Sequence, residues 1–165
     1  MRLGALLAAV LSLCACGLQP LYGGGSSGTV ATTLRSVEVS PIPERTGWLV
    51  HNKLVDRLGA SGSARPAYRL DVTLDDNITS FGIRTDQAAT RERRTLRARY
   101  QLVDLASGTV VLDATAGSDA GIDIVSSEYA TVAAEQTAAD NLADVVADQI
   151  VARLGAFALH GPAHR

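Results

Sequence analysis

The hydrophobic positions of this chain change period several times, and each change marks an element. In residues 34–42, Val37 and Val39 alternate with polar neighbours before Pro41 and Pro43 halt the run, which predicts a short first strand. Between Pro43 and Gly59 the spacing becomes four: Val50, Leu54 and Leu58 form a stripe that Val55 widens, and Gly59 stands where a helix C-terminal cap belongs. This predicts an amphipathic helix with His51 and Lys53 on its polar side, followed by a loop over 59–66. Tyr68, Leu70, Val72 and Leu74 then alternate with Arg69, Asp71, Thr73 and Asp75, the pattern of a half-buried strand. Asp75, Asp76 and Asn77 interrupt that face, and Phe81 and Ile83 resume on the opposite parity, so a bulge or a turn is expected there.

Period two returns over 90–105, with Leu96, Ala98, Tyr100 and Leu102 on one face. Ser107-Gly108 separates it from a second alternating run, Val110, Leu112, Ala114 and Ala116, which predicts a hairpin. Residues 118–127 read as a loop, with Ile122 and Ile124 as a possible extension of the edge. Ser126 or Ser127 then caps a long helix, helped by Glu128, whose apolar stripe is Ala139, Leu142, Ala143, Val146, Ile150, Leu154 and Phe157. The order strand, helix, three strands, helix defines an α+β fold: a mixed four-stranded sheet with two helices packed on one face, in a single domain over 34–159 with a tail at 160–165.

The first residues follow a different logic. One positive charge, Arg2, precedes an apolar run too short to span a bilayer, and the small Ala15 stands before Cys16: residues 1–15 have the layout of a secretory signal peptide. Leu13 three places before Cys16 makes the site resemble the lipobox of bacterial lipoproteins, with Cys16 as the mature N-terminus. Cys14 fits less well, because the bulky Leu13 precedes it. A thiol is the nucleophile such a thioether linkage needs. Acyl chains contribute about 0.8 kcal/mol of membrane affinity per buried CH2. The Gly-rich, Ser-rich residues 23–28 complete a lipidated N-terminus and flexible linker over 16–33; no Lys-Ser/Thr follows to make them a phosphate loop.

Composition narrows the function. The chain is 47% hydrophobic and 4% aromatic, and its formal net charge of −2 becomes one unit more negative once Arg2 leaves with the signal. Cys14 and Cys16 are its only cysteines, so removing one and lipidating the other leaves no disulfide or thiol metal site. An acidic, exported, aromatic-poor chain is a poor partner for nucleic acid. With no Gly-x-Ser-x-Gly elbow, and with histidine only at positions 51, 160 and 164, no catalytic residues, metal or other cofactor are expected beyond the covalent lipid on Cys16, and no enzyme. A calcium-loop reading of Asp75, Asp76 and Asn77 lacks the required spacing and terminal Glu, and His160 with His164 lacks further ligands. Asp140, Asp144 and Asp148 recur at four-residue spacing; they point the same way without converging, and read as a solvated or partner-facing row.

The chemically loaded stretch is 91–101, where Arg91, Arg93, Arg97 and Arg99 share one face of one strand. Same-face neighbours lie about 6.5 to 7 Å apart, so these guanidinium groups repel one another unless anions or carboxylates neutralise them. Two readings follow: a bidentate phosphate-binding ladder, or a solvated edge-strand face paired with Asp71 and Asp75 across the sheet. Arg94 falls on the apolar parity, near the strand start, where solvent is within reach.

Cys16-Gly17-Leu18-Gln19-Pro20-Leu21-Tyr22-Gly23, followed by this element order, resembles the LPS-assembly lipoprotein family LptE as found in alphaproteobacteria. The likeness extends through the arginine strand, the Ser107-Gly108 hairpin and the Ala-rich final helix. It implies a non-enzymatic lipoprotein anchored by lipid in the cell outer membrane, facing the periplasm. Such a protein plugs and helps assemble the LptD β-barrel and assists lipopolysaccharide on its way to the outer leaflet. An auxiliary lipoprotein of an ABC-type lipid transporter is the alternative.

Overall fold

The computed structural model describes residues 28–59, 65–83, 89–125 and 127–161. The signal segment, Cys16 and the Gly-rich stretch at 23–27 lie outside the described residues, as does His164. The element order is α1 (Thr29–Arg35), β1 (Val37–Val39), α2 (Glu44–Leu58), β2 (Tyr68–Ile83), β3 (Ala89–Asp104), β4 (Val110–Asp123) and α3 (Glu128–His160). The sheet runs β1-β2-β3-β4, with β1 parallel to β2 and the other pairs antiparallel. The expected mixed four-stranded α+β fold is therefore present, with three helices among the described residues instead of two.

The alternation sets the layers. Leu70, Val72, Leu96, Ala98, Tyr100, Leu102 and Ala116 point inward and are buried against Val50, Leu54 and Leu58 of α2 and Leu142, Val146, Ile150 and Leu154 of α3. Gly59 takes φ 63 and closes α2 as its sequence position predicts. Ser127 is the N-cap of α3, its hydroxyl accepting from the Ala130 amide at 3.4 Å. Tyr68 meets Phe157 edge to face, with ring centroids 6.0 Å apart, fixing the end of α3 against the start of β2.

Four expectations need correction. The first strand shrinks to three residues because α1 precedes it; Val30 and Leu34, one turn apart, bury a helical face against the core. No bulge or turn occurs at Asp75–Asn77: β2 keeps unbroken register with β3 from Tyr68 to Phe81, so at 3.4 Å per residue its 16 residues reach roughly 50 Å. Residues 118–123 are strand, not loop, with Ile122 buried on the inner face. Helix α3 continues through His160, which therefore ends the helix and does not begin a tail.

Asp144 and Asp148, 44% and 67% exposed, are paired and not merely solvated. Asp144 accepts from Lys53 and Arg57, each at 2.8 Å, and Asp148 from Arg57 at 2.6 Å, so the two carboxylates clasp α3 to α2. The bonds from Lys53 and then Arg57 hold the Asp144 carboxyl below its ordinary value. At the other side of the molecule Gln149 covers the β4 edge at Gly117. Its amide accepts from the Gly117 N–H at 3.0 Å and donates to the Gly117 carbonyl at 3.3 Å, as a neighbouring strand would.

Candidate functional site

Helices cover one face of the sheet, and among the described residues the other is bare. Arg91, Arg93, Arg97 and Arg99 all lie on that bare face, as expected, but β3 is a central strand and not an edge. Their neutralising partners come from β4 and not from β2. Arg91 Nε donates to Asp123 at 2.8 Å, Arg99 Nη2 to Asp113 at 3.0 Å, and Arg93 lies 3.7 Å from Asp119. Gln101 also donates to Asp113, at 2.9 Å. These bonds, from Arg99 and then Gln101, hold the Asp113 carboxyl below its ordinary value.

The expected pairing with Asp71 and Asp75 does not form. Asp71 accepts from the Ser40 hydroxyl at 2.6 Å and from Arg69 at 3.1 Å, and Asp75 accepts from Asn77 at 2.9 Å. A column of arginines on β3 therefore stands between two columns of aspartates, and the face is close to neutral. The sequence showed the cations because they are contiguous. Their partners lie 14 to 32 residues away, in a stretch read partly as loop.

Arg97 differs from the other three. It has no carboxylate within ion-pair distance among the described residues, and its Nη1 makes only a 3.5 Å contact with the Ser118 carbonyl. The side chain passes over Gly117, where an added Cβ would come within 2.7 Å of Arg97 Cδ. Glycine at 117 is what lets Arg97 lie across β4. Beside it is an open hollow of about 690 Å3 whose lining includes Thr73, Asp75, Thr115 and Asp119. Guanidinium, hydroxyl and carboxylate groups so mixed can hold an anion and hydrogen-bond a polyhydroxylated molecule.

Arg94, on the inner face, does the opposite of what its position near the strand start implied. It is largely but not fully buried, with 14% of its side chain exposed, and pairs bidentately with Asp76, 13% exposed, through Nε at 2.9 Å and Nη2 at 2.6 Å. Nη1 donates to the Glu135 carbonyl at 3.0 Å, and Nη2 to Thr46 Oγ1 at 3.1 Å, while Thr46 donates to Asp76 at 2.7 Å. One guanidinium thus ties β2, β3, α2 and α3 together. Burial alone would raise the Asp76 carboxyl, but the bonds from Arg94 and Thr46 outweigh it and bring it below its ordinary value.

Among the described residues no group of three or more His, Cys, Asp or Glu side chains is placed to hold a metal, and no helix is long and apolar enough to cross a membrane. What the fold and site define is a two-layer α+β domain that offers a long, charged, uncovered sheet face to another molecule.

The family model LptE, lipopolysaccharide-assembly, matches residues 34–154, and the chain belongs to that family. That span runs from the end of α1 through most of α3. No curated protein matches the chain. Among solved structures, it is similar to a candidate lipoprotein from Caulobacter crescentus at 25% identity and TM-score 0.66, covering 81% of this chain and 99% of that one. A minor lipoprotein from Acinetobacter baumannii gives 16% identity and TM-score 0.59 over 73% and 90% of the two chains. Lipoprotein B from Nitrosomonas europaea gives 12% and 0.57 over 76% and 84%. The last two likenesses concern the fold alone.

Proposed function

We propose that this protein is a non-enzymatic outer-membrane lipoprotein, lipidated at Cys16, that plugs the LptD β-barrel, helps it assemble and assists lipopolysaccharide to the outer leaflet. The observation that carries this reading is the lipopolysaccharide-assembly family match across 34–154, which takes in every strand of the sheet. The lipobox-like Cys16 and the lipoprotein relatives support the anchor. The bare sheet face supports the ligand role. Arg91, Arg93, Arg97 and Arg99 meet lipopolysaccharide or the barrel lumen there, and Arg97, without a carboxylate to displace, is the readiest of the four to take a phosphate or sugar carboxylate.

The test is mild-detergent affinity purification of the C-terminally tagged full-length protein from its own membranes. A large outer-membrane barrel in stoichiometric amount is the expected result. An ABC permease in its place, or no partner, overturns the reading and favours the transporter-auxiliary alternative. With the barrel in hand, Arg97→Glu together with Arg99→Glu is expected to lower lipopolysaccharide cross-linking at least five-fold without lowering the amount of folded protein.

A further inference from the structure

The outer edges of the sheet are guarded unevenly among the described residues. On β4, Gln149 occupies the outward amide and carbonyl of Gly117. On β2, β1 pairs with Tyr68 to Leu70, and the last such bond runs from the Ser40 amide to the Leu70 carbonyl at 3.0 Å. The chain then continues beside β2 in the same direction. Pro41 and Pro43 have no N–H to offer, while Ser40 and Thr46 bond the side chains of Asp71 and Asp76. Past Asp76 this cover stops.

Backbone groups of alternate strand residues point to opposite sides. The Leu70 carbonyl faces β1, so with unbroken register the N–H and C=O of Ile78 and Ser80 face away from β3, into the open edge. Neither residue has a second backbone partner among the described residues. The segment Asn77, Ile78, Thr79, Ser80, Phe81 also lacks three of the devices that natural edges use against strand addition: it has no charge, no proline and no bulge. Ile78 and Phe81 are 42% and 40% exposed, on opposite faces of the strand.

We infer that the free edge of β2 at Ile78–Ser80 accepts an added β-strand: an extended, uncharged segment of the barrel partner, with β-branched or aromatic side chains set beside Ile78 and Phe81. This rests on the barrel reading and names where the partner engages. Pairing over so few residues falls well short of the roughly 1,200 Å2 that a specific interface buries, so a second copy held by this edge alone is disfavoured. A segment of a chain that already surrounds the domain is not limited in that way. A closed barrel has no free strand edge, so the segment comes from a loop or extension of it.

Proline at Ser80 removes the outward N–H and leaves the β3 ladder intact, a placement that edge strands tolerate. Ser80→Ala loses the same hydroxyl, including its 2.9 Å bond to Glu92, but keeps the N–H. Purification from membranes is expected to recover the barrel with wild type and Ser80→Ala, and at least five-fold less with Ser80→Pro at equal lipoprotein level. In wild type, whose fold is not in question, the Ile78 and Ser80 amides are expected to exchange with solvent at least ten-fold more slowly in the complex than in the free full-length protein. Equal recovery with Ser80→Pro, or equal exchange in the two states, overturns the inference and leaves the barrel reading standing. Slow exchange already in the free protein assigns the edge to another segment of this chain, or to a second copy if it depends on concentration, and also overturns it. Absence of the barrel from the wild-type preparation overturns both.

Discussion

The two faces of β3 carry the same side chain and use it in opposite ways. On the inner face Arg94 commits its guanidinium to Asp76, Thr46 and the Glu135 carbonyl, with 14% of its side chain exposed. On the outer face Arg91, Arg93 and Arg99 each have one aspartate and remain mostly in solvent, and Arg97 has none among the described residues. Desolvation makes the difference. A buried pair cannot lose one member cheaply, because the other is left as an uncompensated charge, whereas an exposed pair falls back on water. The inner arginine therefore holds the architecture, and the outer ones are free to serve recognition.

The largest effect that tests this contrast is at Asp76. Asp76→Ala is expected to destabilise the domain by about 3 to 5 kcal/mol, read as a lower midpoint in urea unfolding. Arg94→Ala should match it, and the double variant should cost less than the two single losses combined. A loss below 1 kcal/mol in both single variants would break the distinction between the faces. Acid probes the same pair. The Asp76 carboxyl is lowered by folding, so its stabilisation is fully present above its unfolded value of about 3.9 and is lost as pH falls through the folded value. Arg94 stays charged throughout. Asp76→Ala should flatten the acid limb of stability against pH below about pH 4.

This pair also explains what the sequence concealed. Asp76 and Arg94 each broke an apolar alternation, and read one at a time they implied a bulge and an escape to solvent. The inter-strand register brings them within bonding reach, so two interruptions in the linear pattern become one satisfied network. The runs over 68–74 and 96–102 and the stripes of α2 and α3 were legible because each holds its period over at least three positions, and Ser127 and Gly59 because capping chemistry is local. Helix α1 was not, since only Val30 and Leu34 declare it. The far end of β4 was missed because Ser118, Asp119 and Gly121 read as loop residues. Gly117 is the floor over which Arg97 lies, and four arginines were legible as a ladder while the aspartates beside them were not.

Between the two extremes lies the clasp of α2 and α3. Asp144 is 44% exposed and receives both Lys53 and Arg57, so solvent already screens what burial would otherwise strengthen. Asp144→Ala is expected to cost about 1 kcal/mol, decreasing with added salt, since the screening length falls from about 10 Å at 0.1 M to 3 Å at 1 M. A salt-independent loss several times larger would place the clasp with the buried pair.

The smallest expected change in stability is at Arg91, and it is the most informative for function. Its 2.8 Å pair with Asp123 leaves the two side chains 60% and 72% exposed, a geometry in which the Coulomb gain is offset by hydration and side-chain entropy. Arg91→Ala should therefore shift the unfolding free energy by less than about 0.5 kcal/mol. If the outer face serves recognition, the same substitution should still weaken lipopolysaccharide cross-linking, and more strongly at low salt, because the anion meets an arginine whose only competitor is one solvated aspartate. Unchanged stability with weakened cross-linking separates a binding face from a merely solvated one. Unchanged values of both, in Arg91→Ala and in the Arg97 and Arg99 reversals alike, would reduce the ladder to a self-neutralised surface and leave recognition to the free edge of β2.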